Sequence, residues 1–408
     1  MREDWGRLLA LLVAQYRRLD LAEDGLADAV EAAARTWPAD GAPDNPPAWL
    51  LTAARRRVLD RLRAEAVRAR HQPLLEVEAS LVDAVDRLDP ADLVGDDALP
   101  DERLRLVLLC AHPSLAPEHA AALTLRMVMG VSTAEVARLF LVPAPTMAAR
   151  LTRARKRLAG AGFAVPDGDA LAERVLLVGE VAYLAFTAGY SPGTGPDVLR
   201  ADVAGEALRL VRVVRGLLPS SCPEEVRHEA DALLALLLLQ HSRRGARVDE
   251  DGGLVLLPDQ DRTRWDHAAI TEALALLTPL ATAPASRWLC EALVAAEHAI
   301  APTSAATRWD RVVARYEELL ALGESPVVRL NRAVALAEMH GPHAGLEALA
   351  AIDADRLPGH RLPGVRAELL ARAGRTSEAL AAFDEAIAAC ENEAELAHLL
   401  RRRAETSR

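Results

Sequence analysis

The chain has 408 residues, of which 51% are hydrophobic and 26% charged, with 23 Gly, 24 Pro and a net charge of −11. This composition excludes disordered, collagen-like and mucin-like sequence, and the length suits about two to four domains. Apolar runs such as Leu233 to Leu239 fall far short of the ~20 residues that cross a bilayer. The first thirty residues carry Asp4, Asp20, Glu23, Asp24 and Asp28, which does not read as a secretory signal. A soluble cytoplasmic protein with no membrane partner is therefore expected.

Residues 4–19 place Trp5, Leu8, Leu9, Leu12, Tyr16 and Leu19 on one helical stripe, and residues 21–37 read as a second amphipathic helix ending near Pro38. The segment 38–47 holds four prolines and reads as a stiff loop, because consecutive prolines suit neither helix nor ladder. The next helix runs through Trp49 to Arg63, with Leu51, Ala54, Val58 and Leu62 on its apolar side and arginines over the remaining arc. Residues 1–70 carry 12 Arg against 11 acids. Residues 71–102 then carry 10 acids against Arg87 alone, and residues 103–160 carry 9 bases against Glu118 and Glu135. This alternation reads as two cation-bearing modules joined by an anionic connector, followed by a separate acidic body. Since binding to a phosphate backbone depends on the local field, the net negative charge does not exclude nucleic acid.

Ser132-Thr133-Ala134-Glu135 has the form of a capping box. It opens a short helix, Thr133 to Phe140, which Leu141-Val142-Pro143 ends. Pro145 sits in the first turn of the following helix, where its missing N–H costs nothing. That helix carries Met147, Leu151, Ala154 and Leu158 on an inward stripe and Thr146, Arg150, Arg153 and Arg157 on the opposite one. Five bases lie between Arg150 and Arg157 with no acid. Two short helices joined by a tight turn, the second with a basic outward face, read as a helix-turn-helix whose second helix enters the major groove.

Beyond residue 160 almost every segment has helical period; Gly253 to Leu257 is the one stretch that reads as extended. Tyr316, Leu349 and Phe383 are separated by 33 and 34 residues. Val312, Gly345 and Ala379 precede them by four positions, and Leu319, Ile352 and Ala386 follow by three. Small residues and a period of about 34 identify a helical-hairpin repeat of the tetratricopeptide kind, with residues 392–404 capping the stack. The acidic segment Asp249 to Asp261 reads as a surface turn, since its glycine and its Gln260 do not match an EF-hand. Trp265 and Trp309, in two Arg-Trp-Asp triplets, read as core anchors. Cys110, Cys222, Cys290 and Cys390 lie far apart with no Cys-x-x-Cys, and the eleven histidines show no metal spacing. No disulfide framework, metal site or cofactor is expected. Nothing in the chain forms a Ser/His/Asp array or a phosphate loop, so no catalytic residue is assigned and the chain is not expected to be an enzyme.

Ala22 to Val30 together with Ala48 to Arg63 resembles region 2 of extracytoplasmic-function sigma factors of the sigma-70 family. Ser132 to Phe140 with Pro145 to Leu158 resembles their region 4. With the repeats, the chain is similar to the group of these sigma factors that carries a tetratricopeptide-like C-terminal extension. The resemblance implies an all-α protein: region 2 at 1–70, an acidic linker at 71–102, a region 4 helix-turn-helix at 103–163, and a helical extension at 169–408 with repeats from about 308. It implies that Asp24 and Asp28 dock on the β′ clamp of core RNA polymerase, and that region 4 meets the β flap. Arg55, Arg56, Arg57, Arg61 and Arg63 would serve the −10 element, and Thr146, Met147, Arg150, Arg153, Arg155, Lys156 and Arg157 the −35 element. The function so implied is an alternative sigma factor directing initiation at specific promoters. Its extension would regulate it through a protein partner or an intramolecular contact. The alternative reading is a helix-turn-helix regulator with a repeat-type sensor domain.

Overall fold

In the computed structural model, residues 2–69, 99–140, 142–158, 166, 168–190, 201–250 and 252–408 are described. The fold is all-α, with eighteen α-helices and no strand among these residues. The chain divides into two units, one formed by Met1–Ala182 with Arg212–Pro223, the other by Tyr183–Val211 with Glu224–Arg408.

The first unit starts with α1 (Arg2–Tyr16), α2 (Leu19–Asp40) and α3 (Pro46–Ala69). The apolar stripe of α1 is buried from Trp5 through Leu12, as its spacing requires. Helix α2 does not stop at the expected Pro38. It runs two residues further and ends at Gly41, whose φ of +84° lets its N–H reach the Trp37 carbonyl. A proline in the last turn removes only a donor to a carbonyl near the helix end, so the helix continues past it. The reversal into α3 is fixed by Asn45, whose side chain accepts from the Ala48 N–H at 3.2 Å, and by an edge-to-face contact of Trp37 and Trp49 at 5.5 Å. Helices α2 and α3 approach closely at Gly25, where a Cβ would lie 2.8 Å from Val58 Cγ2 and 3.0 Å from the Ala54 carbonyl oxygen.

The acidic connector lies outside the described residues as far as residue 98. Its last four residues belong to α4 (Leu99–Cys110), a correction to the expected boundary, and Glu102 pairs there with Arg105 at 2.6 Å. Then come α5 (Pro117–Met127), α6 (Thr133–Leu139) and α7 (Ala144–Arg157). Helix α1 packs against α4 and α5. At Gly6 a Cβ would sit 2.1 Å from the Val128 carbonyl oxygen, and at Gly130 (φ +65°) 2.9 Å from the Trp5 side chain. Only glycine permits both approaches, so the two basic modules are packed on one another within this unit. The start of α8 (Gly168–Tyr190) joins them through Arg174, which donates to the Leu108 carbonyl at 2.7 Å.

The second unit holds the end of α8, most of α9 (Ala201–Leu217) and then α10 (Glu224–His241), α11 (His267–Leu277), α12 (Arg287–Ile300) and α13 (Trp309–Leu322). They are followed by α14 (Pro326–His340), α15 (Pro342–Ala350), α16 (Arg361–Arg372), α17 (Thr376–Ala388) and α18 (Glu393–Thr406). The expected extended stretch at Gly253 to Leu257 is not a strand. Leu254 makes one isolated bridge with Val248, and Leu257–Asp259 is a 3₁₀ turn, because Pro258 cannot donate to a ladder. In the same surface loop the Asp249 carboxylate accepts from the Gly253 N–H. Trp265 is buried as expected, and Trp309 packs half-buried against the first of three successive core clusters.

Those clusters follow the repeat spacing. Val294, Val312, Val313 and Ala335 form one, with Tyr316 against it. Leu349 sits in the second, with Leu330, Ala333, Ala337, Ile352, Leu362 and Leu369, and Phe383 in the third, with Ala367, Leu370, Ala379, Ala382, Ala386 and Leu399. Arg372 on α16 pairs with Glu338 on α14, and Arg402 on α18 pairs with Glu368 on α16; each link spans 34 residues. At Gly345 a Cβ would meet the Ala337 Cβ at 2.6 Å and Leu369 Cδ1 at 2.7 Å, so a small residue is required there.

Candidate nucleic-acid interface

Helix α6 opens with a complete capping box: the Glu135 N–H donates to Ser132 Oγ at 3.2 Å and the Ser132 N–H to Glu135 Oε2 at 2.9 Å. Two helix-start donors are thereby satisfied, which fixes where α6 begins. The turn that follows is closed by Val142 donating to the Ala137 carbonyl at 3.0 Å. Pro145 lies in the first turn of α7, and Met147, Leu151 and Ala154 are buried on its inner side. Thr146, Arg153, Lys156 and Arg157 are exposed and Arg150 is half-buried. Among the described residues no carboxylate pairs with Arg150, Arg153, Lys156 or Arg157. An unneutralised arginine face on the second helix of a helix-turn-helix attracts phosphate and presents forked donors to guanine edges.

Two residues that the resemblance assigns to the −35 element lie off this face. Met147 is 0% exposed and packs beneath α7, so it supports the helix and cannot reach a base. Arg155 is turned to the side, where its guanidinium binds the Glu23 carboxylate of α2 and is satisfied within the chain.

Glu23 is the residue that sequence reasoning missed. It is 6% exposed and also lies 2.9 Å from Arg126 Nε, although that N–H is not aimed at the oxygen. Arg126 in turn lies over the Trp5 ring at 4.8 Å. One carboxylate thus ties α2 to both α5 and α7. A signal was present, since Leu19, Ala22, Glu23 and Leu26 share a buried helical face, and an acid on such a face requires a cation.

The arginine helix α3 is more heavily paired than its charge count suggests. Arg61 forms salt bridges to Asp24 at 2.7 Å and Asp28 at 2.8 Å, so the two residues expected to dock on polymerase are joined to one expected on DNA. Arg55 donates to Gln15 Oε1 at 3.0 Å, and Arg63 reaches Asp60 at 3.4 Å. Arg56 and Arg57 are exposed. Nearby, Arg18 holds the Asp20 carboxyl below the usual range through a paired hydrogen bond.

Residues 105–158, which contain this interface, match the family model described as Sigma-70, region 4. Residues 174–281 match a model described as a family of unknown function (DUF6596). An uncharacterized protein of Rhizobium meliloti (strain 1021) is 39% identical over 396 residues, covering 96% of this chain and 91% of the relative. The chain belongs to that protein's family. The region 4 match supports a sigma-70 family factor with a DNA-binding role in transcription regulation, and sigma-70 factors in general work with core RNA polymerase and promoter DNA. No solved structure matches the chain. Among the described residues, no helix is long and apolar enough to cross a membrane.

Proposed function

We propose that the protein is an alternative sigma factor of the extracytoplasmic-function type, acting in the cytoplasm on core RNA polymerase to start transcription at a defined set of promoters. The observation that carries the reading is the unpaired cationic face of α7 within the segment that matches region 4. On this reading Thr146, Arg150 and Arg153 meet the −35 element at its base edges, while Lys156 and Arg157 hold phosphates. The exposed Arg56 and Arg57, with Arg55, Arg61 and Arg63 on the same helix, serve the −10 element. Asp24 and Asp28 dock on the β′ clamp, and region 4 meets the β flap. The tie from Arg61 to both aspartates then couples docking to −10 engagement, because other partners for the aspartates free Arg61.

The helical extension from residue 169 onward is regulatory, with tetratricopeptide-like stacking from about residue 308. Three clusters at the repeat spacing and two ion pairs spanning 34 residues support this reading. Run-off transcription with purified core polymerase tests the proposal. Core enzyme alone should be silent on cognate templates, and addition of the chain should start RNA at discrete positions. A chain that binds promoter DNA yet leaves core enzyme inactive would instead establish a helix-turn-helix regulator.

A further inference from the structure

The helix junction at the C-terminal end brings together three residues that nothing in the sequence spacing connects. His360 immediately precedes α16, Cys390 follows the end of α17, and Glu395 lies in the first turn of α18. Their ligand atoms all lie within 4.8 Å of one another, with His360 Nε2 2.8 Å from Glu395 Oε2. All three are half-buried, so each is held in place while a side remains open to water.

The junction is built rather than incidental. Asn392, 1% exposed, accepts from the Glu395 N–H at 2.9 Å through its side chain, while its own carbonyl lies 3.5 Å from Cys390 Sγ. The short loop between Cys390 and Glu395 is thereby fixed at both ends. On the other side the His360 carbonyl accepts from the Gly364 N–H at 2.8 Å, and Cys390 packs against the third core cluster. The hydrogen bond from His360, and after it the nearby charges of Arg361 and Arg247, hold the Glu395 carboxyl below the usual range.

We propose that His360, Cys390 and Glu395 form a binding site for a divalent zinc ion. Imidazole nitrogen, thiolate sulfur and carboxylate oxygen are the three donor types zinc takes, and three protein ligands with one water complete its tetrahedron. Thiolate and carboxylate together balance the charge of the ion, so the two arginines are not left facing a net positive centre. Binding requires loss of the Cys390 thiol proton to solvent and replacement of the His360–Glu395 hydrogen bond by two coordinate bonds. The ion would staple α18 to the preceding pair of helices, closing the end of the stack.

The full chain, reduced and freed of metal with a chelator, is titrated with cobalt(II) as the probe. One equivalent should produce a thiolate-to-cobalt charge-transfer band in the near ultraviolet and the visible bands of a tetrahedral centre, and zinc should bleach both. Cys390→Ser should abolish the charge-transfer band, Cys222→Ser should leave it intact, and His360→Ala should weaken affinity by at least about tenfold. Absence of the band, or its survival in Cys390→Ser, overturns the site. A measurement on the wild-type chain guards against misfolded variants: zinc should slow alkylation of Cys390, read by peptide mass mapping. Equal alkylation with and without zinc also overturns the proposal.

Discussion

Replacing Glu23 by alanine removes a carboxylate that serves two guanidinium groups from different helices. Arg155 on α7 and Arg126 on α5 would be left facing each other's charge in a largely dry contact, with side chains only 22% and 16% exposed. Breaking one partner out of a buried ion pair costs about 3–5 kcal/mol, because the remaining charge has lost its compensation. The lower end applies here: both arginines keep some water, and Arg126 retains the Trp5 ring at 4.8 Å. A loss of about 3 kcal/mol corresponds to a fall of about 6–12 °C in the melting temperature of a unit of this size. Calorimetry on the full chain should show the transition of the first unit moving down and that of the second staying in place. Hydrogen exchange should show faster exchange in α2, α5 and α7 and no change in α13 to α18. The double-mutant cycle of Glu23→Ala with Arg155→Ala isolates the pair, and the two changes should fall short of additivity by about 1–3 kcal/mol. Additive losses, or a loss below about 0.5 kcal/mol for Glu23→Ala, would refute the reasoning that this carboxylate holds α2 to α7.

Lys156→Ala with Arg157→Ala should lower the salt dependence of promoter-DNA binding by about two phosphate contacts while leaving polymerase binding intact; an unchanged slope of log affinity against log salt in a fluorescence titration would place DNA elsewhere. His298, edge-on to the Trp309 ring at 5.3 Å, is pushed down to about 4, by burial first and then by Arg243 and Arg262. The unfolded chain therefore binds a proton that the native state refuses between pH 6.5 and 4. Its contribution is complete above pH 6.5 and falls as pH drops to about 4, a loss of about 1 kcal/mol by pH 5.5. Urea unfolding across that range should show this acid sensitivity reduced in His298→Gln. Gly6→Ala would drive a Cβ to 2.1 Å from the Val128 carbonyl oxygen, and forced separation of α1 from α5 should cost about 2 kcal/mol or more, read by denaturation of the first unit.

Much of the fold was legible because its signals are local. Capping chemistry places the start of α6, apolar spacing picks Met147, Leu151 and Ala154 for the inside of α7, and the 34-residue period places Leu349 and Phe383 in successive clusters. The errors were also local in origin. Pro38 suggested a helix end that Gly41 actually supplies, and Gly253 to Leu257 suggested an extended run that finds one bridging partner and no ladder.

The sequence by itself determined the helical class, the two cation-bearing modules and the arginine face of α7, since each depends on residues within a few turns of one another. Only the tertiary structure decided what those charges do: that Arg155 is spent on Glu23, that Arg61 spans Asp24 and Asp28, and that His360, Cys390 and Glu395 meet at one junction. Periodicity says which face of a helix is wet or dry. It carries no information about which distant residue comes to lie opposite, and a charge or a ligand acquires its role only from that neighbour.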